Sequence, residues 1–593
     1  MKTLKKLIFL LTAKERKSAV LIFCVILIMA FIEIAGLASI LPFMAILSDP
    51  DIIETNSKLN TAFQASRNLG IENEKQFLFL SGLVVFLLLV ISLVIKAFAT
   101  YLQVNFSTTA RFNLEKRLVT SYLSQSYVWF LDRHSADLGK NILAEVGTVI
   151  KGGVQPMINL ISKSVVAIAV LTLLIVVDVK LTLIVGLTLG LTYLIIYTLS
   201  RSFLKYIGNE RFKANRWRFT TVSEAFGAVK EIKLSGFEKT YIDRFSKPAK
   251  KLAIYEAFFR VLTQLPRFAI EAVAFGGMLL ITLYLMARSN NFVNIVPTIA
   301  LYTFAGYRLI PLLQGVFDCI NLLRFTAPSL DALHDDLKKL QTSNLSNDKE
   351  VLQLKKEIKL NNVCFSYPNS SQFNLKNINF KIPVGSNIGI VGITGSGKST
   401  LIDLILGLHK PKNGNLEIDG KIINNHNCRS WQQSIGYVPQ QIFLFDDTIA
   451  SNIAFGLDSN HIDQNAIEKA AKTANIHDFI INDLPLKYQT LIGERGIRLS
   501  GGQRQRLGIA RALYHDPKVL VMDEATNALD VHTEQLVIEE IKKLRKDRTM
   551  ILITHRLNSV KDCDNIIIIE KGEIKQEGNF EELNNLSDYF KFD

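Results

Sequence analysis

Apolar residues are unevenly spread along this chain of 593 residues. Up to about residue 330 they gather into runs of about 20, the length that crosses a bilayer as a helix. The last 240 or so residues hold no such run; short apolar strands alternate there with helical stretches, which predicts a soluble α/β domain. Six spans are predicted, near 18–47, 77–105, 156–177, 181–203, 256–287 and 292–323. A basic flank, Lys2, Lys5, Lys6, Lys14, Arg16 and Lys17, precedes the first, which is too long for a signal-peptide core and lacks a small-residue cleavage site. That flank sets the N-terminus in the cytoplasm, and an even number of spans returns the C-terminus there.

After the first span, 48–76 is polar, with an amphipathic stretch near Leu59–Leu69 that predicts a short external helix lying on the membrane. After the second, the helical pattern continues but turns polar through Phe106–Ser126 and reaches Tyr127–His134. With the basic segment 201–251, this predicts helices that run on into the cytoplasm as stalks. Spans three and four are separated only by Asp178-Val179-Lys180, a tight external turn, and spans five and six by a short loop containing Arg288. A polar linker over 331–350 divides a six-helix, all-α membrane domain, 1–330, from the α/β domain, 351–593.

Composition supports this division. A chain with 49% hydrophobic residues, 21% charged residues and a mean hydropathy of +0.22 is reconciled with itself when the apolar residues are concentrated in one part. The formal charge of +14 suits nucleic acid, anionic headgroups or cytoplasmic loops. Its excess lies between the apolar runs, so the membrane explanation is preferred and no nucleic-acid partner is expected. Cys24, Cys319, Cys364, Cys428 and Cys563 have no metal or disulfide spacing and read as reduced thiols.

An ionisable group in hydrocarbon is costly and faces a cavity or a partner. Glu33 lies past the middle of the first span. Arg267 and Glu271 are four apart, as are Glu256 and Arg260, so pairing along their own helix competes with a ligand role. Lys96 and Arg260 are near cytoplasmic ends and can snorkel. Arg308 has no acidic residue three or four positions away. At about 1.5 Å per residue, Lys96, Arg260, Arg267 and Arg308 fall in the inner half of the membrane. If they share a cavity with Glu33, it is basic and suits an anionic headgroup.

In the soluble domain, Gly392-Ile393-Thr394-Gly395-Ser396-Gly397-Lys398-Ser399-Thr400 follows the apolar run Ile388–Val391 and precedes the helical Leu401–Gly407. In this strand, glycine-rich loop, helix context, successive N–H groups and a helix N-terminus point at one anion. Lys398 then reaches the β- and γ-phosphates of a nucleotide, and the Ser399 hydroxyl ligands Mg²⁺. Gln440 follows an apolar strand, where its amide oxygen can reach Mg²⁺ and an attacking water. Leu499-Ser500-Gly501-Gly502-Gln503 opens a helix and makes a second anion cradle. Val519–Met522 is a buried strand ending in Asp523, placed to hold Mg²⁺ through water, and Glu524, placed to polarise a water in line with the γ-phosphate. Ala528-Leu529-Asp530 follows, and a further strand, Met550–Thr554, presents His555. Tyr367 can stack on a purine, although a lone tyrosine is as readily core or surface. Each feature is weak alone; their order is specific.

This ordered set resembles the ATP-binding cassette transporter family, and the spans before it are similar to exporters with membrane and nucleotide domains fused in one chain. By that resemblance the phosphate loop Gly392–Thr400 is the Walker A motif, Tyr367 the adenine-stacking residue and Gln440 the Q-loop. Leu499–Gln503 is the signature, Asp523 the Walker B aspartate, Glu524 the catalytic base, Asp530 the D-loop, His555 the switch histidine and Gly493-Glu494-Arg495-Gly496 the X-loop. The resemblance implies an ATP hydrolase using ATP and Mg²⁺, since no position departs from the hydrolytic pattern. It also implies a homodimer in which the signature of one chain closes over the ATP held by the other. Coupling elements are implied near Trp129–His134 and Arg211–Thr221. The external segment, the basic cavity, Phe130–Glu145 and Gly306–Pro311 are similar to PglK-type flippases, which implies a polyprenyl-pyrophosphate glycan moved across a bacterial inner membrane. A lipid A, drug or peptide exporter of the same fold is the alternative, and a membrane-tethered regulatory ATPase is the alternative of another class.

Overall fold

The computed structural model describes the chain except residues 1, 49, 69–70, 72, 178, 289–295, 341–350, 369–371, 526–532, 534, 538, 541–547, 556 and 587–593. It divides into two compact units, one formed by Met1–Gln125 and Arg133–Ser343, the other by Ser126–Asp132 and Asn344–Asp593.

The first unit is all helical. Its long helices are Ala13–Ala38, Glu74–Leu123, Gln155–Val177, Val179–Gly227, Glu238–Arg288 and Val296–Phe325. Thr12 starts the first of them with a capping box, its side chain accepting from the Glu15 N–H while Glu15 accepts from the Thr12 N–H. Among the described residues, four helices are long and apolar enough to cross a membrane, or five when the bent pair Thr303–Phe325 and Ala327–Lys339 is taken as one span. The expected count of six is therefore not reached among the described residues. The predicted fifth stretch, 256–287, lies within the helix Glu238–Arg288, whose Glu256, Arg260, Arg267 and Glu271 all precede the apolar run from Ala272 to Ala287. Stalks are evident: Glu74–Leu123 has 50 residues, about 75 Å of helix against a hydrocarbon core of about 30 Å.

The stalk does not end at Arg211–Thr221, where a coupling element is expected. The helix runs unbroken to Gly227, and the reversal falls later, at Val229–Ser235 and Gly236, whose φ of +68° suits glycine. Arg211, Asn215 and Thr221 are instead buried within the first unit. The polar segment after the first span does hold helices, Ile52–Thr55 and Ser57–Arg67. Asn56 caps the second by accepting from the N–H groups of Lys58 and Leu59. Phe63 meets Phe77 edge-on at 5.3 Å in a small core with Ile46 and Ile53.

Among the membrane helices, Ala30, Ala99, Ala167 and Ala305 are all buried in one cluster with Val166, Val170 and Leu309. Side chains this small let the helix backbones approach closely.

Among the described residues, the second unit is built on ten strands: β1 (Glu357–Phe365), β2 (Leu375–Pro383), β3 (Asn387–Val391), β4 (Asn413–Ile418), β5 (Lys421–Ile422), β6 (Ile435–Val438), β7 (Val519–Asp523), β8 (Thr549–Ile553), β9 (Asn565–Glu570) and β10 (Glu573–Gly578). They form an antiparallel sheet ordered β2-β1-β4-β5 and a larger sheet ordered β10-β9-β3-β8-β7-β6, parallel except for β10. The period of two in the parallel strands sorts their side chains between two cores. Ile388, Ile390, Val519, Val521, Ile551, Ile553, Ile567 and Ile569 face the antiparallel sheet and the helix Lys398–Ile405. Leu520, Met522, Met550, Leu552, Ile566 and Ile568 face the helical layer that includes Gly501–Leu513. Because β3, β8, β7 and β6 are parallel neighbours, their C-terminal ends line one edge, where open α/β sheets bind ligands.

Candidate functional site

Four strand ends deliver the site. β3 leads into the phosphate loop, β8 into His555, β7 into Asp523 and Glu524, and β6 into Gln440. Two of these groups meet on the carboxylate of a third. Gln440 Nε2 donates to Glu524 Oε2 at 2.6 Å, and His555 Nε2 lies 2.7 Å from Glu524 Oε1. Glu524 is nearly buried and has a φ of +48°, a left-handed conformation uncommon outside glycine, held by its N–H donating to Ile553 O at 2.9 Å. The turn thus aims its side chain along the strand ends.

The phosphate loop has the form the spacing predicts. Gly397 caps the helix Lys398–Ile405 at φ +110°, and Gly395 has φ +81°. A Cβ on Gly392 would overlap Ile569 O and sit 2.7 Å from Ser396 Oγ, so only glycine fits at the loop entrance. Lys398 Nζ donates to the carbonyls of Gly392 and Ile393 at 2.7 and 3.0 Å, and burial lowers its pKa against the pull of Glu524 and Asp523. Ser396 Oγ is buried with no hydrogen-bond partner among the described residues. An orphaned hydroxyl beside an ammonium and a helix N-terminus fits a phosphate. Asp523 is pushed up to about 6, first by burial and then by the Glu524 and Asp403 carboxylates. A divalent cation is the partner such crowded carboxylates suit, and Ser399 and Gln440 are the other expected oxygen donors.

Tyr367 hydrogen-bonds Thr400 Oγ1 at 3.3 Å and joins a ring cluster that the sequence did not announce. Phe365 stacks on His409 at 4.8 Å, and Tyr367 meets His409 edge-on at 5.5 Å. Tyr127, from the helix Tyr127–Leu131 in the same compact unit, lies against His409 at 5.8 Å. His409 is buried, with Nε2 3.4 Å from Asp403 Oδ2. The expected coupling segment Trp129–His134 is thus split, its first part grouped with the nucleotide-domain residues.

The signature is a helix N-terminus. Ser500 caps Gly501–Leu513, its hydroxyl accepting from the Gln503 N–H at 3.2 Å while Gln503 Oε1 accepts from the Ser500 N–H at 2.8 Å. The N–H groups of Gly501 and Gly502 lie in that first turn, on a helix separate from the one that the phosphate loop opens. Asp530 lies outside the described residues.

Of the five membrane charges singled out, three converge. Arg308 Nη1 donates to Glu33 Oε1 at 2.6 Å, and Lys96 Nζ lies 3.9 Å from the same oxygen. Arg267 instead pairs with Glu271 at 2.8 Å along its own helix, and Arg260 is exposed with no ion pair among the described residues. A second polar group in the spans escaped notice. Lys163 lies across Gly315, where a Cβ would overlap its Nζ, and Gln314 Nε2 donates to Asp318 Oδ1 and Thr263 O, each at 2.8 Å. The signal available was their polarity within the predicted third and sixth spans.

The model of the family described as ABC transporter matches residues 375–527, which hold the phosphate loop, the signature and the β7 carboxylates. The ATP-dependent lipid A-core flippase of Saccharophagus degradans is 30% identical over 478 residues, 79% of each chain. ABC transporter B family member 13 of Arabidopsis thaliana is 33% identical over 389 residues, 64% of this chain. The chain spans only 31% of that plant protein and 38% of member 14 of the same group. A solved bacterial Atm1-family ABC exporter with ATP bound superposes with a TM-score of 0.77 at 22% identity, covering 98% of both chains, which establishes a shared fold. With strand ends, phosphate loop and relatives in agreement, this chain belongs to the ABC transporter family, as a multi-pass membrane protein with an ATP-binding cassette fused to its helical domain.

Proposed function

We propose that the protein is an ATP-driven lipid flippase that works as a homodimer by alternating access and moves a phosphate-bearing lipid, a polyprenyl-pyrophosphate glycan, from the cytoplasmic to the outer leaflet of a bacterial inner membrane. Six spans, cytoplasmic termini and the division 1–330, 331–350, 351–593 belong to this reading. The observation that supports it most is one pairing of features: the Glu524 carboxylate is held between Gln440 and His555, on a chain that also buries Glu33 against Arg308 and Lys96.

Within the cassette, Tyr367 stacks on the base, and Lys398 with the N–H groups of Gly392–Thr400 binds the phosphates. Mg²⁺, when bound by Ser399, Gln440 and Asp523, supplies charge neutralisation at the β- and γ-phosphates. Glu524 orients and takes a proton from the attacking water, and His555 keeps Glu524 in position. Ser500, Gly501, Gly502, Gln503 and Asp530 of one copy complete the site of the other. Closure and reopening of the cassettes shift the membrane helices between two populations. The lipid A-core flippase relative favours a second reading in which the headgroup is that of lipid A.

The test is translocation of a fluorescent lipid-linked oligosaccharide in proteoliposomes, with a labelled lipid A arm beside it, for the wild type and Glu524→Gln. ATP-dependent loss of accessible label by the wild type alone is expected. Hydrolysis without movement of either lipid would refute the flippase reading and favour a regulatory ATPase.

A further inference from the structure

Glu33, Lys96 and Arg308 come from three different helices, yet they meet for a local reason. Each lies three residues from a buried alanine, Ala30, Ala99 and Ala305, and therefore on the same helix face as it. The helices of Glu33 and Lys96 pack on each other, the helix of Arg308 packs on Gln155–Val177, whose Ala167 shares the same buried cluster, and the next turn along each carries the charge. The side chain of Glu33 is 4% exposed, that of Arg308 24% and that of Lys96 47%. The carboxylate is the floor and the two cations are the open side. Both cations approach the same oxygen, Glu33 Oε1, so the group carries two positive charges against one negative.

A guanidinium has five N–H donors, and the contact with Glu33 uses one. An oxyanion arriving from the open side meets Lys96 and Arg308 first and faces Glu33 behind them. Arg267 is differently placed, since it carries its own counter-ion, Glu271.

We propose that Glu33 is a resident counter-ion that competes with the phosphate of the lipid headgroup for Arg308 and Lys96, and so sets how weakly that headgroup is held and how readily it is released. This rests on the flippase reading above, which it deepens by assigning the headgroup site. A like charge about 4 Å away changes affinity by about fivefold in bulk water and by about a thousandfold at an effective dielectric of about 20, so at a site partly open to solvent removing it tightens binding by about tenfold or more.

The experiment titrates ATP hydrolysis by the full chain in nanodiscs with undecaprenyl pyrophosphate, lipid A or uncharged undecaprenol. The wild type is expected to respond to a phosphate lipid and not to undecaprenol, and which phosphate lipid acts identifies the source. Glu33→Gln is expected to lower the half-saturating concentration of that lipid about tenfold, and Lys96→Gln to raise it. Monodisperse elution is the control for folding. If Glu33→Gln does not fold, Glu33→Asp, which draws the carboxylate back by one methylene, is expected to shift half-saturation the same way by less. A half-saturation unchanged or raised in the folded carboxylate variant overturns the proposal and leaves Glu33 a structural ion-pair partner. A wild type indifferent to both phosphate lipids overturns the lipid reading itself, and the site with it.

Discussion

Glu145→Ala is expected to be among the most destabilising single substitutions in the helical unit. Glu145 is fully buried and Arg211 is 6% exposed. Arg211 Nη2 lies 3.6 Å from Glu145 Oε2 and donates to Ser329 Oγ at 2.7 Å; Asn215 Nδ2 donates to Glu145 Oε1 at 2.9 Å. Two unit charges at that distance attract by about 4–5 kcal/mol at an effective dielectric near 20. Removing one partner leaves a buried guanidinium with Glu256 as its remaining counter-charge, and breaking such a pair costs about 3–5 kcal/mol. At roughly 2 °C per kcal/mol for a unit this large, thermal unfolding in detergent should shift down by about 6–10 °C.

The pair is also imperfect, because Glu145 Oε2 and Arg211 Nε have no hydrogen-bond partner among the described residues. The double variant Glu145→Met with Arg211→Met, which removes both charges and keeps volume, should therefore regain most of the loss. A drop under about 2 °C for Glu145→Ala, or a double variant as unstable as the two singles summed, would refute a mutually compensating buried pair.

Two further outcomes test the nucleotide site. His409→Ala removes the ring on which Phe365 stacks and Tyr367 leans, contacts worth about 0.5–1.5 kcal/mol each, and should raise the KM for ATP about tenfold, whereas His409→Phe should stay near wild type; equal KM values for the two variants would separate the ring cluster from base binding. Gly392→Ala drives a Cβ onto Ile569 O and Ser396 Oγ and should weaken binding of a fluorescent ATP analogue by about fivefold to a hundredfold, from about 1–3 kcal/mol of overpacking, with circular dichroism unchanged; wild-type affinity would mean the loop entrance yields more easily than its backbone contact implies.

What could be read ahead of the structure, and what could not, follows from the kind of information each residue carries. The glycines of the phosphate loop, the carboxylates after β7 and the histidine after β8 each sit next to their own strand in sequence, and parallel pairing then brings every strand end to one edge. Position in the chain was enough. His409 and Tyr127 are more than 280 residues apart, by subtraction of their numbers, and neither belongs to a motif, so only the fold could join them. Glu145 and Arg211 escaped for a related reason. Arg211 reads as one more cation in a basic segment, and only the inward face of an unbroken helix makes it a core residue.

The membrane charges lie between these cases. That Arg308 had no acidic neighbour on its own helix already required a partner from elsewhere, because a lone cation in hydrocarbon is costly. Arg267 had one four residues away and took it. Helical spacing therefore separated the two arginines correctly, but could not name Glu33, since periodicity fixes a side chain's face and leaves the facing helix open. The missing step was in the alanines. A small buried residue three positions from each of Glu33, Lys96 and Arg308 marks the face turned to one shared core, and charges one turn along that face must meet or face each other across a gap. Because a shared apolar cluster, with Ala167 of Gln155–Val177 between them, holds these helices as well as the ion pairs do, removing the Glu33 charge should leave the two cations facing the same space, and it is that persistence of place that lets an incoming anion use them.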